Sequence, residues 1–271
     1  MKCIRNIMIY ATRSERVVKA SEYLALLFPN AIYHVVAVIS TLRSRHFYTS
    51  LFKDIMRRAA EEAVDELELT LLGKHVLVVK KVILRGKPSK ELINYARSKP
   101  IDLVALASPI NGVSPITPVI HKVIIELDLP IFLYTSLAKN PPKEIKSILV
   151  YGDDKDIEKI IEFTLPLANF HSTSIDIYYD SRNERILSKV MGILKTHNIN
   201  FNIIQPLSKN DENKLKEILK LMENNDLLMM GINSTIKKTK TLQLSPLKQA
   251  LFKLSILPII LLKTRGILFN E

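Results

Sequence analysis

Cysteine is nearly absent. Cys3 is the single one, so no internal disulfide can form and a reducing, cytoplasmic setting is expected. Glycine is scarce, with 7 in 271 residues against roughly 7% in average proteins. Loops that cradle phosphate use glycine so that backbone N–H groups can approach the anion, and this chain has few glycines for such loops. Long apolar runs are missing too. Stretches such as Ser255 to Leu262 fall far short of the roughly 20 residues of a membrane span. Polar and basic residues between Lys2 and Arg5 interrupt any signal-peptide pattern. No membrane partner is expected.

Catalytic and metal signatures are also wanting. There is no P-loop, no Gly-x-Ser-x-Gly elbow and no Rossmann fingerprint. None of the six histidines, His34, His46, His75, His121, His171 and His197, stands at metal-ligand spacing, and no cysteine cluster accompanies them. Asp153, Asp154 and Asp156 could face a cation, but acid in a first helical turn is the simpler account. The expectation is a protein that is not an enzyme and holds no metal.

What the chain does contain is ample core material, 47% hydrophobic, and a net charge of +12. The charge is spread over both halves and fits a lysine-rich solvated surface better than a nucleic-acid footprint. Arg57-Arg58 and Lys80-Lys81 lack interleaved aromatics, so a nucleic-acid partner is not expected.

The strongest pattern is an internal repeat. Asp226-Leu-Leu-Met-Met-Gly231, a polar loop, Ser245-Pro246, an apolar helix pattern and Leu257-Pro-Ile-Ile-Leu-Leu-Lys263 echo an earlier stretch. That stretch is Asp102-Leu-Val-Ala-Leu-Ala107, a loop, Thr117-Pro118, a helix pattern and Leu129-Pro-Ile-Phe-Leu-Tyr-Thr135. Lys146-Ser-Ile-Leu-Val-Tyr151 likewise matches Arg5-Asn-Ile-Met-Ile-Tyr10. Short continuous apolar runs alternate with helical periodicity, which predicts βαβαβαβαβ in each half. In the first half the expected strands are Asn6 to Ala11, Ala31 to Ile39, His75 to Leu84, Ile101 to Ala107 and Pro130 to Thr135, with a long helix over Tyr48 to Leu72. In the second half a helix is expected from Asp154 to Asn169. Right-handed crossovers then place helices on both faces of a parallel sheet. The expected organisation is a domain over 1–138, a Pro-Pro linker over 139–144 and a second domain over 145–271.

These residues resemble the universal stress protein family, as two domains in tandem, over about Lys2 to Thr135 and Lys146 to Lys263. The resemblance rests on the five-strand α/β order, the Asp-Leu start of strand four and the Pro-Ile-Ile-Leu type of last strand. It implies an α/β chain of two tandem five-stranded parallel-sheet domains, flavodoxin-like or Rossmann-like. Family members that bind ATP carry an Asp after strand one. They end strand four in Gly, then two residues, Gly, nine residues, and Gly followed by Ser or Thr. In the second half Asp153, Gly231 and Ser245 match that motif. Ser234 replaces the second glycine and Leu244 the third, while Lys237, Lys238 and Lys240 add charge to the same loop. In the first half Thr12 stands at the Asp position, Ala107 and Ile110 at glycine positions, and Thr117 keeps the hydroxyl. Gly86-Lys87-Pro88 resembles the Gly-x-Pro often found after strand three, and equally reads as a plain turn.

The resemblance therefore implies a regulatory, stress-related binding protein. Its nucleotide, ATP or a related adenine nucleotide, would lie against Asp153, Gly231, Ser234 and Ser245. The alternative is a nucleotide-free interaction module in which both loops have become structural, with self-association or a protein partner. The resemblance also implies pairing of the two last strands, which would bury Ile131, Leu133, Ile259 and Leu261.

Overall fold

The computed structural model describes residues 4–40, 50–108, 117–233 and 244–264. The chain packs as two compact units, Met1–Leu129 and Pro130–Glu271. In chain order the described residues supply five strands and four helices twice over, as the internal repeat predicts.

The first unit contains β1 (Asn6–Tyr10), α1 (Glu15–Leu27), β2 (Ile32–Ser40), α2 (Ser50–Gly73), β3 (Val78–Gly86), α3 (Pro88–Ser98), β4 (Leu103–Ala107) and α4 (Pro118–Glu126). Its strands run β3-β2-β1-β4, and the pairs β1–β2, β1–β4 and β2–β3 are parallel. Ile7, Met8 and Ile9 are buried regardless of which face they point to, which is why β1 is a continuous apolar run rather than an alternating one. The third strand begins later than its sequence pattern suggests. His75 takes φ 64° and Val76 N–H donates to Leu71 O, so the end of α2 turns through residues that read as extended. Gly86, at φ +148°, ends β3 in a conformation that L side chains rarely adopt, and Pro88 follows as the first residue of α3.

The second unit contains β5 (Ile131–Tyr134), β6 (Ser147–Gly152), α5 (Ile157–His171), β7 (Ser174–Tyr179), α6 (Glu184–Thr196), β8 (Phe201–Ile204), α7 (Asp211–Glu223), β9 (Leu227–Asn233), α8 (Pro246–Leu254) and β10 (Ile259–Thr264). Its order is β5-β10-β9-β6-β7-β8. All these pairs are parallel except β5–β10, which is antiparallel and sets Ile259 opposite Leu133 and Leu261 opposite Ile131. All four residues are buried, so the pairing of last strands implied by the resemblance is present. It removes an apolar edge that would otherwise invite association. The chain after β5 is tied to the same unit. Lys139 N–H donates to Ile256 O at 2.8 Å, and Lys139 Nζ donates to Met222 O and Glu223 O at the C-terminal end of α7, where a cation is favoured.

Both halves of the repeat open with the same device. Asp102 Oδ2 accepts N–H bonds from Arg5 and Asn6, each at 3.0 Å. Asp226 Oδ2 accepts N–H bonds from Lys146 at 2.7 Å and Ser147 at 3.2 Å. The aspartate that begins each fourth strand thus satisfies the first donors of the neighbouring first strand. No described helix is long and apolar enough to cross a membrane.

Candidate functional site in the second unit

In the second unit β6 lies between β7 and β9. The chain leaves β6 for β7 on one side and later returns to β9 on the other. The order therefore reverses between β6 and β9, and open α/β sheets bind ligands in the crevice beyond the strand ends at such a point. Gly152 ends β6, and Gly231 lies in β9 just past the Tyr151–Met230 pair. Three elements converge there: the turn Asp153 to Asp156, the strand around Gly231, and the N-terminus of α8.

The turn is built by its aspartates. Asp153 Oδ1 accepts the Lys155 N–H at 2.8 Å, and Asp153 O accepts from the N–H groups of Asp156 and Ile157. The helix α5 therefore starts at Ile157, later than the sequence pattern suggests, and Asp156 is turned inward. Its side chain is fully buried. Oδ1 accepts the Asp153 N–H at 2.7 Å. Oδ2 accepts from Lys248 Nζ at 3.1 Å. Lys248 Nζ also donates to Gly231 O at 2.7 Å and sits 5.7 Å from the centroid of the Tyr151 ring, within cation–π range. Burial pushes the Asp156 carboxyl above its ordinary value and Asp153 adds to this, while Lys248 and the Asp153 N–H pull it down.

Both glycines make room for this carboxylate. A Cβ on Gly231 would lie 2.5 Å from Asp156 Cβ and Cγ, and one on Gly152 would lie 2.9 Å from Asp156 Oδ1. Outside the pair lies a cleft of about 260 Å³, lined among others by Tyr151, Asp153, Asp180, Asp211, Ser245 and Lys248. Asp180 is compensated by Lys214 at 2.7 Å and accepts from Tyr151 Oη at 3.3 Å. Among the described residues no group of histidine, cysteine, aspartate and glutamate is arranged to hold a metal ion.

Comparison with solved structures gives a consistent answer. A universal stress protein from Archaeoglobus fulgidus matches with a TM-score of 0.75 over 96% of both chains, at 18% identity. The fold is that of the universal stress proteins. A putative universal stress protein from Pseudomonas aeruginosa covers 97% of this chain and 94% of its own, at TM-score 0.59 and 13% identity. A functionally unknown protein from the same species covers 97% and 93%, at TM-score 0.60 and 12% identity. No family model matches the sequence, and no curated protein matches it.

Set on the universal stress protein fold, the motif residues divide. Asp153 and Ser245 both line the cleft. Gly231 is not among the residues lining it; its carbonyl is bonded to Lys248 and its open side is filled by Asp156. Ser234, Lys237, Lys238 and Lys240 lie outside the described residues. The Ser245 hydroxyl accepts the Lys248 N–H at 3.3 Å as the N-cap of α8, with Pro246 following. Thr117 does the same for α4 in the first unit, accepting from Ile120 N–H at 3.2 Å ahead of Pro118. In that unit Ala107 ends β4, and Ile110 lies outside the described residues. His34 is buried and pairs through Nδ1 with Tyr95 Oη at 2.8 Å, so it serves the core.

Asp156 and Lys248 form the centre of this site, yet the sequence pattern points to neither as a pair. They are 92 residues apart. One signal was present: Lys248 stands in the first turn of α8, where the helix dipole disfavours a cation. A lysine there needs a tertiary partner.

Proposed function

We propose that this chain is a non-catalytic regulatory binding protein of the universal stress type, in which the phosphate position beside Gly231 is taken by the chain itself. The observation that carries the reading is the Asp156 carboxylate seated in the open side of Gly231 and tied to Lys248. A glycine at this position leaves space for a phosphate to approach the backbone, and here that space holds an anion belonging to the chain. Two further features point the same way. Pro246 removes a backbone donor from the first turn of α8, and the Ser245 hydroxyl already serves as the cap. Function then runs through protein contacts rather than a nucleotide cycle.

The test is nucleotide content followed by titration. Purified protein is denatured, and the released small molecules are run against ATP, ADP and AMP standards. The stripped protein is then titrated with ATP by calorimetry. The expected result is no stoichiometric nucleotide and no binding heat at millimolar ATP. Stoichiometric nucleotide would sink the reading in favour of a second one, an adenine nucleotide held at the cleft mouth. That second reading is favoured by the common cleft of Asp153 and Ser245, and it requires Asp153→Ala to weaken binding.

A further inference from the structure

We infer that Asp156 is the resident of an anion-binding position, and that this position takes an external oxyanion, a carboxylate or a phosphate group, once the Asp156 carboxylate is removed. The inference rests on the nucleotide-free reading and extends it to the chemistry of the site. The Asp156 carboxylate is recognised by an N–H of its own turn and by an ammonium from a distant helix. The Asp153 N–H points at Oδ1 from the turn after β6, and the Lys248 ammonium reaches Oδ2 from α8. Gly152 and Gly231 leave the volume. Each of these persists when the Asp156 side chain is cut back. Lys248 is held in place independently by Gly231 O and by the face of Tyr151, so its ammonium cannot leave for solvent without breaking both contacts. What remains is a buried ammonium with an N–H donor beside it and without the carboxylate it was bonded to. A buried ion lacking its partner is strongly unfavourable, and a small oxyanion is the species that relieves it.

Lys248 borders the cleft as well as the buried pair, so its ammonium is the point at which an anion in the cleft would meet the niche. The remaining carboxylates at the mouth, Asp153, Asp180 and Asp211, oppose a polyanion more than a single small anion. Acetate, the size of the deleted group, is therefore the favoured probe, and phosphate is the harder test of whether the niche and the cleft are continuous.

The experiment measures unfolding temperature for wild type, Asp156→Ala and Asp156→Ala/Lys248→Met. Titrations use sodium acetate or sodium phosphate against sodium chloride at constant ionic strength. For Asp156→Ala the expected result is a rise with acetate that grows with the logarithm of its concentration, on the order of 3 °C per tenfold above the dissociation constant. The wild type and the double variant should stay level. A response to phosphate as well would mean the niche opens into the cleft. No response in Asp156→Ala, or an equal response in all three proteins, would overturn the inference. If Asp156→Ala does not fold in chloride, it is refolded from urea in acetate. Recovery of native circular dichroism in acetate alone supports the anion site, and recovery in neither salt counts against it. Nucleotide found in the wild type would remove the nucleotide-free reading, whereas a missing acetate response removes only the inference drawn here.

Discussion

At the scale of single residues, Gly231 and Asp156 are one design. Gly231→Ala places a Cβ inside the space of the Asp156 side chain, and overpacking of this kind costs roughly 1–3 kcal/mol. The same substitution made in an Asp156→Gly background should cost much less, because the obstructing atoms are gone. Urea unfolding of the four proteins measures that coupling, and additive costs would refute the shared niche. Asp156→Ala alone strands Lys248 and should cost about 3–5 kcal/mol. Asp156 also has a pH signature. Its carboxyl is raised above 3.8 by burial, so the native state binds the proton more tightly than the unfolded chain does. The associated stability is fully present below pH 3.8 and is lost as pH rises through the raised value. Relative to Asp156→Asn, the wild type should therefore gain stability as pH falls across that window. Urea unfolding at a series of pH values checks the sign.

At the scale of elements, the repeat is held by paired local devices. Asp102 and Asp226 each close the start of a first strand by accepting two backbone N–H bonds. Asp226→Ala leaves those donors without that acceptor and should cost about 1–3 kcal/mol, and Asp102→Ala should behave alike. The Asp-Leu start of strand four thus has a structural reason that its sequence alone does not disclose. Thr117 and Ser245 cap α4 and α8, so alanine at either should cost about 1 kcal/mol. The element order was legible because apolar runs and helical periodicity alternate so regularly. Element starts were less so. The α5 start moved from Asp154 to Ile157 because Asp156 turns into the crevice, and β3 began at Val78 because His75 takes a left-handed conformation.

At the scale of the whole molecule, buried tyrosines set the alkaline limit. Burial raises Tyr33, Tyr151 and Tyr178 well above the ordinary value of 10.0, with carboxylates adding to the effect for the last two. Tyr179 is pushed up to about 12 by burial and by its hydrogen bond to Asp154. A raised phenol contributes stability below pH 10.0 that is lost as pH rises through the folded value. Unfolding free energy should therefore fall steeply above pH 10.0. Tyrosinate absorbance from these four rings should rise with the loss of native circular dichroism rather than ahead of it. Tyrosinate in a still-folded protein beyond what the other five of the nine tyrosines can supply would contradict the burial of these rings.

The sequence by itself determined the class of fold, the repeat and the position of the crevice. Those follow from local chemistry: periodicity, caps and strand-end residues act between near neighbours and leave a readable pattern. Asp153, Gly231 and Ser245 were singled out by the family resemblance, and of these Asp153 and Ser245 line the cleft. What occupies the crevice was decided only by the tertiary structure. Whether a glycine leaves space for a ligand or for a neighbouring side chain depends on which distant groups arrive beside it. Here the groups are a carboxylate from the turn after β6 and an ammonium from α8, brought together by the crossover from one side of β6 to the other. No local pattern couples them, and their burial makes their charges meaningful only as a pair.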